Sequence, residues 1–141
     1  MADNKKFSEY KAAVNAVSPV TTSGALTGVK INATGADRVA FVFSFGIPLA
    51  DAAVSSGLGI WKASTSGAAY TRAGASFGAL TSGAINGKTA VLDVNVDRAK
   101  PWLLVSGQMD SSNCPLSCVA IIDNYDNRPP TSLSAVITAN D

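Results

Sequence analysis

The chain has 141 residues, with eleven Lys plus Arg against ten Asp plus Glu, 15% charged residues and no histidine. This length fits one domain, and a net charge of +1 provides no basic face for nucleic acid or for an anionic membrane. No apolar run approaches the ~18 residues of a membrane span, and the amino end lacks the apolar core of a signal peptide. We therefore expect a protein made in a cytoplasm, with neither nucleic acid nor membrane as a partner. Its weakly charged surface favours association with other protein.

The first twenty residues fit two kinds of structure. Phe7, Tyr10 and Val14 lie on a helical stripe, whereas Tyr10, Val14 and the alanines between them fit an extended chain. Pro19 is expected to end either element. Lysines and small residues in this stretch favour an extended N-terminal arm over 1–20.

A central strand is predicted over residues 37–46. Its large apolar residues recur at the strand period of two, at positions Val39, Phe41, Phe43 and Phe45. The alternate positions hold Ala40, Val42 and Ser44, so neither face carries a charge, and we expect both faces to be buried. Gly46 and Pro48 end the strand, and a loop to Gly57 is expected to follow.

Shorter strands surround this one. Apolar and alternating patterns predict them over 29–32, 58–64, 69–72, 89–96, 101–108 and 117–123. The stretches between them are interpreted as a linker over 21–28, a long loop over 73–87 with at most one weak strand, and a polar loop over 109–115. Trp102, inside an apolar run, is predicted to be core, and Trp61 to face either the core or a partner.

Six to eight short strands without a clear helix predict an all-β, single-domain β-sandwich, with jelly roll as the expected topology and a small barrel as the alternative. The sandwich would span 21–130, between the N-terminal arm and a C-terminal tail over 131–141. Within the C-terminal tail, residues 133–137 are expected to form an edge strand or a docking segment.

Few residues in this chain could carry chemistry. The absence of histidine excludes Ser-His-Asp and Cys-His mechanisms. Cys114 and Cys118 have no second ligand pair for zinc and are expected to be reduced thiols that pack as small hydrophobes. Residues 123–127 resemble the start of a calcium loop but lack its central Gly and closing Glu, so a polar turn explains them equally well. We expect no metal and no cofactor.

Two further hypotheses concern sugars, one as the substrate of a hydrolase and one as a bound ligand. Asp93, Asp97 and Asp110 could hydrolyse a glycoside, but nothing marks any two as facing each other across a cleft. Trp61 and Tyr70 could stack on a sugar ring, although such aromatics more often anchor cores or protein interfaces. We therefore do not expect an enzyme, and a carbohydrate-binding or adhesin module remains an alternative.

Three blocks of the sequence, over 27–42, 58–71 and 94–122, resemble a family of small tailed-phage virion proteins encoded beside the major capsid protein. In that family an extended arm precedes a G-x-D-x-x-x-x-V segment, which here is Gly35 to Val42 with Asp37. A hairpin ending in [FY]-T, here Tyr70-Thr71, follows, and then two apolar strands. The chain departs from the family where Trp102 opens an apolar run in place of an aromatic-apolar-Arg strand.

The resemblance implies a head decoration, or cement, protein that binds the outside of an HK97-like capsid and bridges neighbouring major capsid subunits. Such a protein would form a small homo-oligomer, a dimer or trimer, and would be assembled onto the virion in the host cytoplasm. A tail or fibre-base component of the virion is the alternative within the same class. The residues expected to contact partners are Phe7, Tyr10, Val14, Trp61, Arg128, Pro129, Leu133 and Val136.

Overall fold

Ten β-strands and no helix make up the part of the chain that a computed structural model describes, namely residues 11–22, 25–47, 52–76, 80–81, 87–109 and 114–123. The strands are β1 (Lys11–Thr22), β2 (Ala25–Thr27), β3 (Ile31–Asn32), β4 (Arg38–Phe45), β5 (Ala52–Ala63), β6 (Thr71–Ser76), β7 (Leu80–Thr81), β8 (Thr89–Asn95), β9 (Trp102–Met109) and β10 (Cys114–Asp123). Within these described residues, no helix has the length and hydropathy that a membrane span requires.

The strands form two antiparallel sheets. One sheet has four strands in the order β1-β10-β4-β8. The other has six: the path β2-β9-β5-β6, with β3 also paired to β9 and β7 to β5. The all-β sandwich predicted from the sequence is thereby confirmed.

The core lies between the two sheets and is built from the inward side chains of both. Its largest fully buried members are Phe41, Phe43, Leu58, Ile60, Leu103 and Ile122. Burying each such side chain contributes about 1.5–3 kcal/mol relative to leaving it in water. No described charged or polar residue is fully buried with them, so apolar burial is the dominant force joining the sheets.

The prediction that β4 is buried on both faces is wrong for one face. Val39, Phe41, Phe43 and Phe45 all lie in the core, but the alternate positions are half-buried or exposed. β4 lies between β10 and β8 within its sheet, and its second face is the outer surface of the sandwich. Uncharged small residues do not require burial, which is why the pattern misled.

The predicted burial of side chains is confirmed in β8 and partly wrong in β9. In β8, Leu92 and Val94 are buried while Thr89, Asp93 and Asn95 are exposed, as predicted. In β9 the core positions are Leu103 and Val105. Trp102 is only half-buried, so its assignment to the core is wrong. It lies on the opposite side of β9 because successive side chains alternate between the faces of a sheet.

The described part of the predicted N-terminal arm is extended and lies in the sheet. Residues 11–20 belong to β1, which pairs with β10, and Ala12 and Ala16 are buried in the core. The expectation that Pro19 ends the element is wrong, because β1 shifts its register between Val17 and Val20 and continues to Thr22. An edge strand tolerates proline at such an irregularity, since the missing N–H interrupts no regular ladder. Residues 1–10 and the tail over 131–141 lie outside the described residues.

Several strands occupy stretches interpreted as loops. β2 lies in the expected linker, β5 begins at Ala52 inside the loop expected before Gly57, and β6 and β7 lie partly or wholly in the expected long loop. These stretches consist mainly of Ala, Gly, Ser and Thr. They are held by backbone pairing with neighbouring strands, which leaves little trace in a hydropathy pattern.

A two-residue backbone clamp joins the sheets at one edge of the sandwich. The Gly28 N–H donates to the Val105 carbonyl at 2.8 Å, and the Val29 N–H donates to the Ala16 carbonyl, also at 2.8 Å. Val105 belongs to the six-stranded sheet and Ala16 to the four-stranded sheet. A β-carbon at position 28 would lie 2.4 Å from the Ala16 oxygen, so only glycine fits this approach.

Candidate protein-contact faces

Of the three carboxylates considered for hydrolysis, the two that the structure describes have different surroundings. Asp93 is exposed on β8, whereas Asp97 follows that strand and its Oδ2 lies 3.1 Å from Lys62 Nζ in the other sheet. The hydrogen bond from Lys62, followed by one from the Ala99 N–H, holds the pKa of Asp97 below its ordinary value of 3.8. Asp97 therefore links two elements of the fold. Asp110 lies outside the described residues.

The carboxylate at the start of the possible calcium loop is engaged in ion pairs. Asp123 Oδ2 lies 3.2 Å from Lys11 Nζ and 3.7 Å from Arg38 Nη2. The rest of that loop, 124–127, lies outside the described residues. Within the described part of the chain, no three His, Cys, Asp or Glu side chains come together as metal ligands.

The two cysteines are free and buried on one face of β10. Burial raises the pKa of the Cys114 thiol, and it raises that of Cys118 to about 12. A thiol with a raised pKa is a poor nucleophile and metal ligand. Both pack as small hydrophobes, as predicted, although Cys114 begins β10 and does not lie in a loop.

The outer surface of the six-stranded sheet carries a cluster that we call the tryptophan face, defined by Trp61, Arg72, Trp102 and Leu104. Trp61 on β5 is paired with Leu104 on β9 and with Arg72 on β6. Trp102 lies on the same side, paired with Ala63. The Arg72 guanidinium lies over the Trp61 ring, 5.5 Å from its centroid, within the range of cation–π attraction.

Trp61, Trp102 and Leu104 are half-buried and Arg72 is exposed, so the face combines apolar area with a positive charge. Side chains of these types, Trp and Arg above all, contribute most to binding at protein interfaces. Tyr70, the other aromatic considered for sugar stacking, is engaged locally. Lys30 Nζ lies 5.6 Å from its ring centroid, and burial raises the pKa of its hydroxyl.

The outer surface of the four-stranded sheet carries a second cluster, the valine face, defined by Val42, Val91, Val119 and Ile121. Val91, Val42 and Val119 occupy one row across β8, β4 and β10. Val91 is 50% exposed and Val119 is 40% exposed, and Ile121 in the next row is half-buried. The face is therefore an apolar strip open to solvent.

Polar rows lie at both ends of the valine face. At one end Lys11, Asp123, Arg38 and Asn95 are paired across all four strands. At the other end Ser117, Ser44 and Thr89 are paired across three strands. Arg38 has 60% of its side chain exposed and Asp123 has 15%. An apolar centre with a polar rim is the usual arrangement of a protein interface.

A groove of about 380 Å³ adjoins the hydroxyl end of the valine face. It lies where β1 shifts its register against β10, and it is lined by Pro19, Val20, Ser44, Gly46, Pro115 and Ser117. Backbone and hydroxyl groups supply its polar atoms, and its lining residues include no side-chain acid or base that could activate a hydroxyl as a nucleophile.

Two of the residues predicted to contact partners are described. Trp61 lies on the tryptophan face, which places it outside the core. Val14 is half-buried and packs against the core cluster, on the inner side of edge strand β1. Six others lie outside the described residues: Phe7, Tyr10, Arg128, Pro129, Leu133 and Val136.

The sequence interpretation did not identify Arg72, Val91 or Val119. Val91 and Val119 each lie between two inward-facing residues. Because side chains alternate between the faces of a strand, this position could have identified both as apolar residues on the outer face. Arg72 could be recognised only through its register with Trp61, which sequence does not provide.

Comparison of the chain with protein-family models, with curated proteins and with solved structures returned no match.

Proposed function

We propose that this protein is a structural virion protein that binds the outside of a tailed-phage capsid and cements neighbouring major capsid subunits. The observation that carries the proposal is the tryptophan face, where Trp61 packs beneath Arg72 and beside Leu104 on a solvent-facing sheet. This surface can recognise a folded protein, because its rigid aromatic and guanidinium groups bury area at little cost in conformational entropy.

The strand order supports the jelly-roll topology that the resemblance implies. The chain passes between the sheets at most steps: β1, β4, β8 and β10 lie in one sheet, whereas β2, β5, β6 and β9 lie in the other, with β6 following β5 in the same sheet. Such alternation is how two Greek keys build a jelly roll. A rigid sandwich of this kind suits a protein that must hold its contact surfaces in a fixed geometry.

The chemistry of the described residues also supports a binding role. Asp97 is ion-paired with Lys62, Asp93 is exposed on β8, and both cysteines are buried with raised pKa values. In this proposal the protein works on the outer capsid surface after assembly in the host cytoplasm. Its partners are the HK97-like major capsid protein and further copies of itself.

A carbohydrate-binding module or another virion part would use the same rigid fold. Stacking on a sugar requires an open aromatic ring, whereas the Arg72 guanidinium occupies one side of the Trp61 ring. Guanidinium stacking on an aromatic ring is a common feature of protein interfaces. The arrangement therefore favours a protein partner.

The direct test is co-sedimentation of the purified protein with bare expanded heads of the phage that encodes it. We expect the wild type to sediment with the heads and Arg72→Glu to bind about tenfold or more weakly, since it reverses a charge at the centre of the contact. Arg98→Glu is the matched control, because Arg98 is exposed and lies off the face beside Asp37. Failure of the wild type to sediment, or equal loss in both variants, would contradict the proposal.

The same preparation tests the remaining readings. A rise in melting temperature with a panel of mono- and oligosaccharides would favour the carbohydrate module. Binding to purified tails but not to heads would favour a tail component. Deleting residues 1–10 tests Phe7 and Tyr10 as contacts, and the deletion should stop there because β1 begins at Lys11 and Ala12 is part of the core.

A further inference from the structure

The two central strands of the valine face, β10 and β4, are self-complementary when two copies are placed face to face. Consider a two-fold axis that runs parallel to the strands, between β10 and β4 of each copy. This operation keeps every cross-strand row at its own level and exchanges β10 with β4 and β1 with β8. Each row of one copy then faces the same row of the other in reverse order.

At the two central strands, β10 and β4, the reversed rows match in both polarity and charge, whereas at the outer strands Val91 faces Asn15 and Asp93 faces Ala13 of the second copy. In the apolar row, Val119 faces Val42 of the second copy, and Val42 faces its Val119. In the charged row, Arg38 faces the second copy's Asp123, and Asp123 faces its Arg38. A patch whose residues i and j meet as i with j and j with i satisfies the requirement of a two-fold interface.

The ion pairs within one chain leave room for this second contact. Lys11 and Arg38 both approach Asp123 through Oδ2, and a carboxylate has a second oxygen that can accept from another guanidinium. With 60% of its side chain exposed, Arg38 can reach across to a facing sheet. Aligned packing of two such sheets is an ordinary arrangement in β proteins.

We propose that the valine face binds a second copy of this chain, forming a two-fold dimer through Val42, Val119, Arg38 and Asp123. The charge match selects this occupant, because a copy of the chain presents Asp123 opposite Arg38 and Arg38 opposite Asp123 at the same time. The inference rests on the proposed function, which names further copies of the chain as partners, and deepens it by assigning the surface through which two copies associate. Head binding through the tryptophan face does not require this contact.

The size of the face sets the strength of the dimer. Four strands spaced about 4.8 Å apart and four rows spaced about 6.6 Å apart span roughly 500 Å² per copy. The total of about 1,000 Å² lies at the lower limit for a specific interface. We therefore expect a weak dimer that dissociates on dilution.

Sedimentation equilibrium of the full chain tests the proposal without any capsid. The concentration series should reach about 500 μM, because an interface of this size binds weakly. We expect a monomer–dimer equilibrium for the wild type and about a tenfold or larger rise in dissociation constant for Val119→Asp. Val29→Asp is the control, because Val29 is 51% exposed and lies in the clamp, outside the cross-strand rows that form the contact. A wild type that stays monomeric throughout, or equal weakening by both variants, would overturn the proposal.

A charge exchange tests the two-fold register itself. Arg38→Glu places two carboxylates opposite each other, and Asp123→Arg places two guanidinium groups opposite each other, so each variant alone should remain monomeric. Mixing them restores both opposite-charge contacts, and we expect a mixed dimer. Each variant is first compared with the wild type by circular dichroism, since Asp123 also binds Lys11 in its own chain; if Asp123→Arg fails that comparison, Val119→Asp alone decides. Two well-folded variants that do not associate on mixing would reject this register.

Loss of the dimer and loss of the proposed function can be separated. Val119→Asp should still sediment with heads, and Arg72→Glu should still form the dimer. A dimer that is lost with Arg72→Glu and kept with Val119→Asp would assign self-association to the tryptophan face and contradict the inference.

Discussion

Gly107 and Leu58 approach each other so closely that a β-carbon at position 107 would lie 2.6 Å from the Leu58 Cα. Gly107 lies on β9 opposite the stretch where β5 shifts its register between Ser56 and Gly59. Leu58 is fully buried there. The irregularity in β5 thus depends on a partner strand that has no side chain at this point.

Gly107→Ala should therefore destabilise the protein by about 1–3 kcal/mol, the usual cost of overpacking a filled core. Urea or thermal unfolding followed by circular dichroism measures this change. Gly67→Ala is the matched control, because a β-carbon at position 67 would meet nothing within 4 Å. Equal stability of the two variants would show that β5 can move away from β9 at low cost.

Phe41→Ala should cost about 3–5 kcal/mol of unfolding free energy, because it leaves a cavity between the two sheets. Phe41 is fully buried in β4, between β10 and β8. Val91→Ala on the neighbouring strand is the control, since Val91 is half exposed and we expect less than about 0.5 kcal/mol. The midpoint of a urea titration at fixed protein concentration distinguishes these outcomes. A loss below about 1 kcal/mol for Phe41→Ala would contradict the sandwich core described above.

Cys118 should resist thiol reagents in the folded protein. Burial raises its pKa from 9.0 to about 12, so the folded state keeps the proton that the unfolded state releases. The stabilisation from this group is present below pH 9 and is lost as the pH rises through about 12. An aromatic disulfide reagent at pH 8 should therefore label neither Cys114 nor Cys118 until urea is added, and unfolding should become easier above pH 9. Rapid labelling of the native protein would contradict this.

Asp97→Asn should lower stability at neutral pH and have progressively less effect under acid conditions. The Lys62 hydrogen bond and the Ala99 N–H lower the Asp97 pKa below 3.8, so the folded state favours the ionised form. That contribution is present above pH 3.8 and is lost as the pH falls through the lowered pKa. Asn retains an acceptor for Ala99 and removes the charge opposite Lys62. Melting temperatures measured from pH 2 to pH 7 check this. The values for Asp97→Asn and the wild type should differ at neutral pH and converge only at the acid end. Asp93→Asn, at an exposed strand position, is the control.

The inward face of each main strand could be predicted from sequence because burial imposes a period of two. Val39, Phe41 and Phe43 show that period, and all three lie in the core. The outer faces could not be predicted in the same way. Val42 and Trp102 are apolar like their neighbours, and only the sheet partners reveal that each faces away from the core.

The contact faces depend on register, which is a relation between distant parts of the chain. Trp61 was recognised as a contact candidate, but its cation Arg72 meets it only because β5 pairs with β6. Val119 and Val42 form one row because β10 returns beside β4. The strands made of Ala, Gly and Ser were missed for a related reason: their stability comes from backbone pairing and not from a hydrophobic pattern.

The Gly28–Val29 clamp also governs how the sandwich can open. Two consecutive amides bind carbonyls in opposite sheets, so the sheets cannot separate at that edge without breaking at least one of these bonds. Deuterium uptake at both amides should consequently be slow, and the edge strands outside the clamp should exchange sooner. Under mechanical load the molecule would then yield first by fraying at its unclamped margins.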